Sequence, residues 1–108
     1  MKVLLSALFF GSVALAGTAA AQDSGSPRDG FAVANQICSE CHAVKSGEAV
    51  SPHLRAPTFQ KVANAPGMNA MTLRVWFQTS HPSMPNLMLS EKDGDDLIAY
   101  ILSLKKRS

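Results

Sequence analysis

Two cysteines three positions apart, followed at once by a histidine, are the most specific chemical signal in the chain: Cys38-Ser39-Glu40-Cys41-His42. Side chains at i and i+3 of a helix point to nearly the same side, so the two thiols can each add to one vinyl group along the edge of a single haem. His42, next along, can then bring its imidazole under the iron. Thioether bonds turn a dissociable cofactor into a permanent part of the chain, which suits a protein that must keep it outside the cytoplasm. Competing chemistries each need something else. A zinc site wants four ligands, and neither a second C-x-x-C pair nor a spaced histidine pair follows. A thioredoxin-like dithiol expects a preceding strand and a βαβ context, whereas the pattern before Cys38 is helical.

Iron held by one histidine has a second axial position, and what fills it decides function. Beyond residue 21 the methionines are Met68, Met71, Met84 and Met88. Met84 is the favoured ligand, because Pro85 biases it to an extended conformation and Pro82 stiffens the approach, so less freedom is lost in presenting the thioether. Met88 is the second candidate. Otherwise Met68, Met71 and Met88 read as core-filling residues. His81 and His53 could compete for iron, although both read as surface imidazoles.

The elements that must position these groups follow from the rest of the 108 residues. Lys2, an apolar run from Val3 to Ala16 and the small residues Ala19-Ala20-Ala21 have the form of a signal peptide, residues 1–21, cleaved before Gln22. Diluted by Ser6, Gly11, Ser12, Gly17 and Thr18, the run falls short of the roughly 20 strongly apolar residues that a membrane span requires. Cleavage would leave 87 residues with a formal net charge of +1, one domain from residue 29 to 108 preceded by a flexible terminus, residues 22–28. That charge names no partner. Lys45, Arg55, Lys61 and Arg74 are scattered, which argues against nucleic-acid binding. A chain this short buries a limited core and needs a supplement.

Asp29 is expected to cap a helix running from Gly30 to Cys38, with Phe31, Ala34, Ile37 and Cys38 on one face. Residues 43–57 lack any period and carry Gly47, Pro52 and Pro57, a long loop of the kind that wraps or binds something. Thr58 caps a short predicted helix from Phe59 to Asn64, ended by Pro66-Gly67. A third helix spans Ala70 to Thr79 and stops before His81-Pro82. After an irregular segment from Ser80 to Leu89, Ser90 caps the last helix, whose apolar stripe is Leu97, Ile98, Ile101 and Leu104. Acidic residues Glu91, Asp93, Asp95 and Asp96 fall in its first turns and Lys105, Lys106 and Arg107 in its last, each sign opposing the helix dipole. No segment alternates strictly, so no sheet is expected.

Together these features resemble a class I cytochrome c of the small bacterial kind. The resemblance rests on Gly30 eight residues before Cys38, the C-S-E-C-H motif, Ala56-Pro57-Thr58-Phe59, His81-Pro82-Ser83-Met84-Pro85 and the closing Leu97-Ile98-Ala99-Tyr100-Ile101-Leu102, and spans residues 29–105. It implies an all-α fold of three to five helices wrapped around one covalent haem c, with the first and last helices crossing at Gly30 against Tyr100 or Ile101. It also implies His42 and Met84 as opposite axial ligands. A proline carbonyl, from Pro57 or else Pro52, would receive the other ring N–H of His42. Trp76 and Arg55 are candidate donors to a haem propionate, with core packing the alternative for Trp76. One departure is Ala34, where many relatives carry an aromatic; the nearest aromatic here is Phe31.

The resulting expectation is a soluble periplasmic electron carrier, not an enzyme. It would be a monomer outside the membrane that cycles one haem between ferric and ferrous states and meets donor and acceptor redox proteins. The alternatives are a cytochrome subunit of a larger oxidoreductase and, further off, a haem peroxidase or gas sensor with a labile sixth ligand.

Overall fold

The computed structural model describes residues 3, 7–14 and 25–106. Most of the expected signal peptide lies outside them; residues 7–14 carry no regular secondary structure. Among the described residues four helices form: α1 Pro27–Val33, continued by a π-helical turn Ala34–Cys38, then α2 Phe59–Asn64, α3 Ala70–Gln78 and α4 Glu91–Ser103. Among the described residues there is no strand, and one isolated backbone bridge pairs His81 with Met84.

The first helix begins earlier than the sequence suggests. Ser26, not Asp29, is the cap: its Oγ accepts the Asp29 N–H at 3.2 Å, with Pro27 opening the helix, where a missing N–H costs nothing. Asp29 instead sits in the first turn, where a carboxylate favours the dipole. Ser26 to Arg28, expected in the flexible terminus, are therefore part of the folded domain, and Ser26 N–H donates to Asp96 Oδ1 at 2.8 Å.

That bond belongs to the packing of α1 on α4, the main helix pair. At Gly30 the two backbones come so close that a Cβ would collide with the Asp96 carbonyl and lie 2.7 Å from Tyr100 Cβ. Tyr100 is thus the crossing contact. The missing aromatic at Ala34, which is fully buried, is offset by Phe31, whose ring packs on Tyr100 with centroids 5.4 Å apart and planes at 58°. Leu97, Ile98, Ile101 and Leu104 all turn into the core with Phe59, Ala63 and Leu73.

Capping at α2 and α4 follows from side-chain oxygens three residues ahead of the amides they bind. Thr58 Oγ1 accepts Lys61 N–H at 3.1 Å and Ser90 Oγ accepts Asp93 N–H at 3.0 Å. Asn69 does the same for α3 through Thr72 N–H at 2.9 Å, and Arg74 ties α3 to α4 by a 2.7 Å bridge to Asp95. Helix α4 ends at Ser103, so Lys105 and Lys106 lie beyond its last turn, not within it; Arg107 is outside the described residues. They fasten the chain end instead: Lys105 Nζ donates to Met68 O at 3.0 Å, and Lys106 N–H to Asn64 Oδ1 at 3.0 Å. No helix among the described residues is long and apolar enough to cross a membrane.

Candidate functional site

Cys38 closes the π-helical turn, where the helix was expected to end, and residues 39–41 form a tight turn. The Cys38 carbonyl accepts both Cys41 N–H at 3.2 Å and His42 N–H at 2.9 Å, which holds the motif as one compact unit. Both thiols are free; Cys38 is buried and Cys41 exposed. Burial pushes the Cys38 thiol up to about 11. This burial favours the neutral Cys38 thiol over its thiolate.

The imidazole of His42 is held from two sides. Its Nδ1 lies 2.6 Å from Pro57 O, and because a carbonyl only accepts, Nδ1 carries the proton and Nε2 keeps its lone pair. Pro57, not Pro52, makes this bond. Phe59, at the start of α2, packs its ring against the imidazole at 5.3 Å and 51°. The loop that carries Pro57 is itself tied down by groups the sequence did not single out for this purpose. Ser51, buried, accepts Ala43 N–H at 3.0 Å, Phe59 N–H donates to Ala43 O at 2.9 Å and His53 N–H to Cys41 O at 3.1 Å, and Tyr100 Oη donates to Val44 O. A cleft of about 380 Å³ opens beside His42, with Asn35, Ser39, Val50 and Pro52 in its wall.

Met84 is half-buried in the tight turn 81–84. Met68 packs against the core as expected, but Met71 and Met88 do not. Met88 is 96% exposed on the irregular segment, and Met71 lies on the outer side of α3 with Val75, because Leu73 takes the inward position of that helix. Nor does simple core packing describe Trp76, which is 50% exposed and stacks on His81 with centroids 3.6 Å apart. His81 Nε2 is engaged by Trp76 O at 2.9 Å. His53 Nδ1 accepts Arg55 N–H at 3.2 Å, and both residues are exposed.

A family model of cytochrome c matches residues 27–105. The chain belongs to the cytochrome c family. It is also 35% identical over 88 residues, 82% of this chain and 81% of the relative, to cytochrome c-552 of Bradyrhizobium diazoefficiens. No solved structure matches it significantly. The all-α fold is that of a small class I monohaem cytochrome c, a family that carries covalent haem c and serves electron transport. The residues of this cytochrome fit that group. Two uncrosslinked thiols and an imidazole whose Nδ1–H is taken up by Pro57 O are of the donor types that such a group needs. Val50, in the wall of the cleft beside His42, presents an apolar side chain outside the protein's own core.

Proposed function

We propose that this cytochrome is an exported, periplasmic, monomeric electron carrier in which Cys38 and Cys41 form the thioethers and His42 and Met84 are the axial ligands. The observation that supports it most directly is the bond from His42 Nδ1–H to Pro57 O: it selects the tautomer whose Nε2 can bind iron and orients the ring before any metal arrives. The haem, once attached, supplies a one-electron couple. The protein's part is to keep both ligands in place through each cycle, so that little reorganises.

Pro57 and Phe59 do this for His42. For Met84 the supporting features are the turn bracketed by Pro82 and Pro85 and its backbone bridge to His81. A methionine opposite a histidine raises the reduction potential relative to two nitrogen ligands. With that ligand in place no substrate reaches the metal, which favours a carrier over a peroxidase or gas sensor. His81 is a poorer ligand than Met84 because its Nε2 is engaged by Trp76 O. The exposed Cys41 favours electron passage to donor and acceptor proteins across the thioether edge. Arg55 and the Trp76 indole N–H remain the candidate propionate donors.

The test is an absorption spectrum of the exported protein, oxidised and reduced, beside that of Met84→Ala. The oxidised parent should show the weak far-red sulfur-to-iron band, and the variant should lose it and have a lower potential. Survival of the band in the variant would move the ligand to Met88, and prompt carbon monoxide binding to the reduced parent near neutral pH would favour an open sixth position.

A further inference from the structure

The segment between α3 and α4 is attached at its entrance through one side chain, that of His81. The ring of His81 lies on the indole of Trp76 with planes inclined by 17° and centroids 3.6 Å apart. The same ring donates Nε2–H to Trp76 O, 2.9 Å away. One side chain thus makes both a face contact and a hydrogen bond to the last turn of α3. Three residues on, the His81 backbone pairs with Met84, so whatever fixes His81 also fixes the backbone of Met84. Pro82 and Pro85 cannot do this. They narrow the conformations of the segment, but a ring that restricts φ and lacks an N–H does not attach the segment to the body of the domain. The stack also accounts for Trp76 itself, a large aromatic left half outside the core.

We propose that the Trp76–His81 pair is a latch that holds the Met84 turn against α3, with both residues positioning the methionine and neither binding iron. The inference rests on the His42/Met84 reading. A base added from solution can take the sixth position only in the fraction of molecules whose Met84 turn has swung out, so its apparent affinity scales with that fraction. Opening the latch raises it.

Ferric exported holoprotein and its His81→Ala, His81→Phe and Trp76→Leu variants are titrated with imidazole, following loss of the far-red band. His81→Ala should tighten imidazole binding roughly tenfold, the scale of one neutral hydrogen bond together with an aromatic pair. Trp76→Leu should tighten it less, since the carbonyl of residue 76 still accepts. His81→Phe, which keeps the stack, should fall between His81→Ala and the parent. Affinities within about twofold of the parent for both His81→Ala and Trp76→Leu, the spread of ordinary surface substitutions, overturn the latch. A parent without the band, or a Met84→Ala variant that keeps it, overturns the ligand assignment first and is told apart by the unsubstituted protein and that variant alone.

Discussion

Asp96 is a carboxylate with 3% exposure on a helix face that otherwise buries apolar side chains. It accepts Lys92 Nζ at 2.6 Å and Ser26 N–H at 2.8 Å. The Lys92 hydrogen bond first, and then the Ser26 N–H, hold its carboxyl below the ordinary value. A group whose folded pKa is depressed stabilises the domain at pH values above the unfolded-state value, about 3.9 for aspartate, and loses that contribution as pH falls through the folded value. The urea midpoint of the holoprotein is therefore expected to drop below about pH 4, and Asp96→Asn should flatten that acid limb. An unchanged acid limb in the variant would assign the sensitivity to other carboxylates. From sequence alone Asp96 was one of four acids opposing a helix dipole; its partner on Ser26 is seventy positions away, beyond any local pattern. The family and its covalent haem were legible in the spacing of the cysteines and His42. Ser51 and Phe59, which steady the loop and the ring, were not, because their contacts exist only once residues 43–57 have folded back.

At the scale of elements, α1 and α4 define the domain, and their crossing depends on the absence of one side chain. Gly30→Ala would drive a methyl into the Asp96 carbonyl and Tyr100 Cβ. Overpacking of this kind costs about 1–3 kcal/mol, so the unfolding free energy of the holoprotein from urea titration should fall by that amount, with the haem spectrum little changed. A variant as stable as the parent would mean that the helices can slide apart without loss. The helices α2 and α3 and the start of α4 could be read in the sequence nearly to the residue, since Thr58 and Ser90 stand where their caps must stand and the apolar stripe of α4 has a clean period. Two ends were misread for physical reasons. Ser26 and Asp29 are both good caps three residues apart, and the choice between them is made by Asp96 across the crossing. At the other end, Ser103 ends α4 early because Gln60 Nε2 takes the Leu104 carbonyl at 2.6 Å and Lys105 reaches Met68. The π-helical turn was invisible, because the apolar spacing through Phe31, Ala34, Ile37 and Cys38 fits an unbroken α-helix equally well.

For the whole molecule, the protein core alone is enough to join α1 to α4, whereas the loop 43–57 and the outer side of α3 present Val50, Leu54, Met71 and Val75 outside it. Stability should therefore be unevenly divided. In the Cys38→Ser/Cys41→Ser chain, which lacks the proposed thioether sulfurs, amide hydrogen exchange is expected to stay slow in α1 and α4 and to become fast in residues 43–57 and α3. Uniform loss of protection would show that the helix pair too depends on the cofactor.

The π-helical turn at Ala34–Cys38 gears the front of the domain to the C-S-E-C-H motif. Each residue of an α-helix advances the chain by about 100° around the axis, so the one extra residue of the wider turn fixes the rotational phase between Gly30 and Cys38. Deleting a single residue there would restore regular helical bonding, yet it would swing Gly30 away from α4 or Cys38 away from the core. The segment between them should consequently accept substitutions far more readily than changes of length.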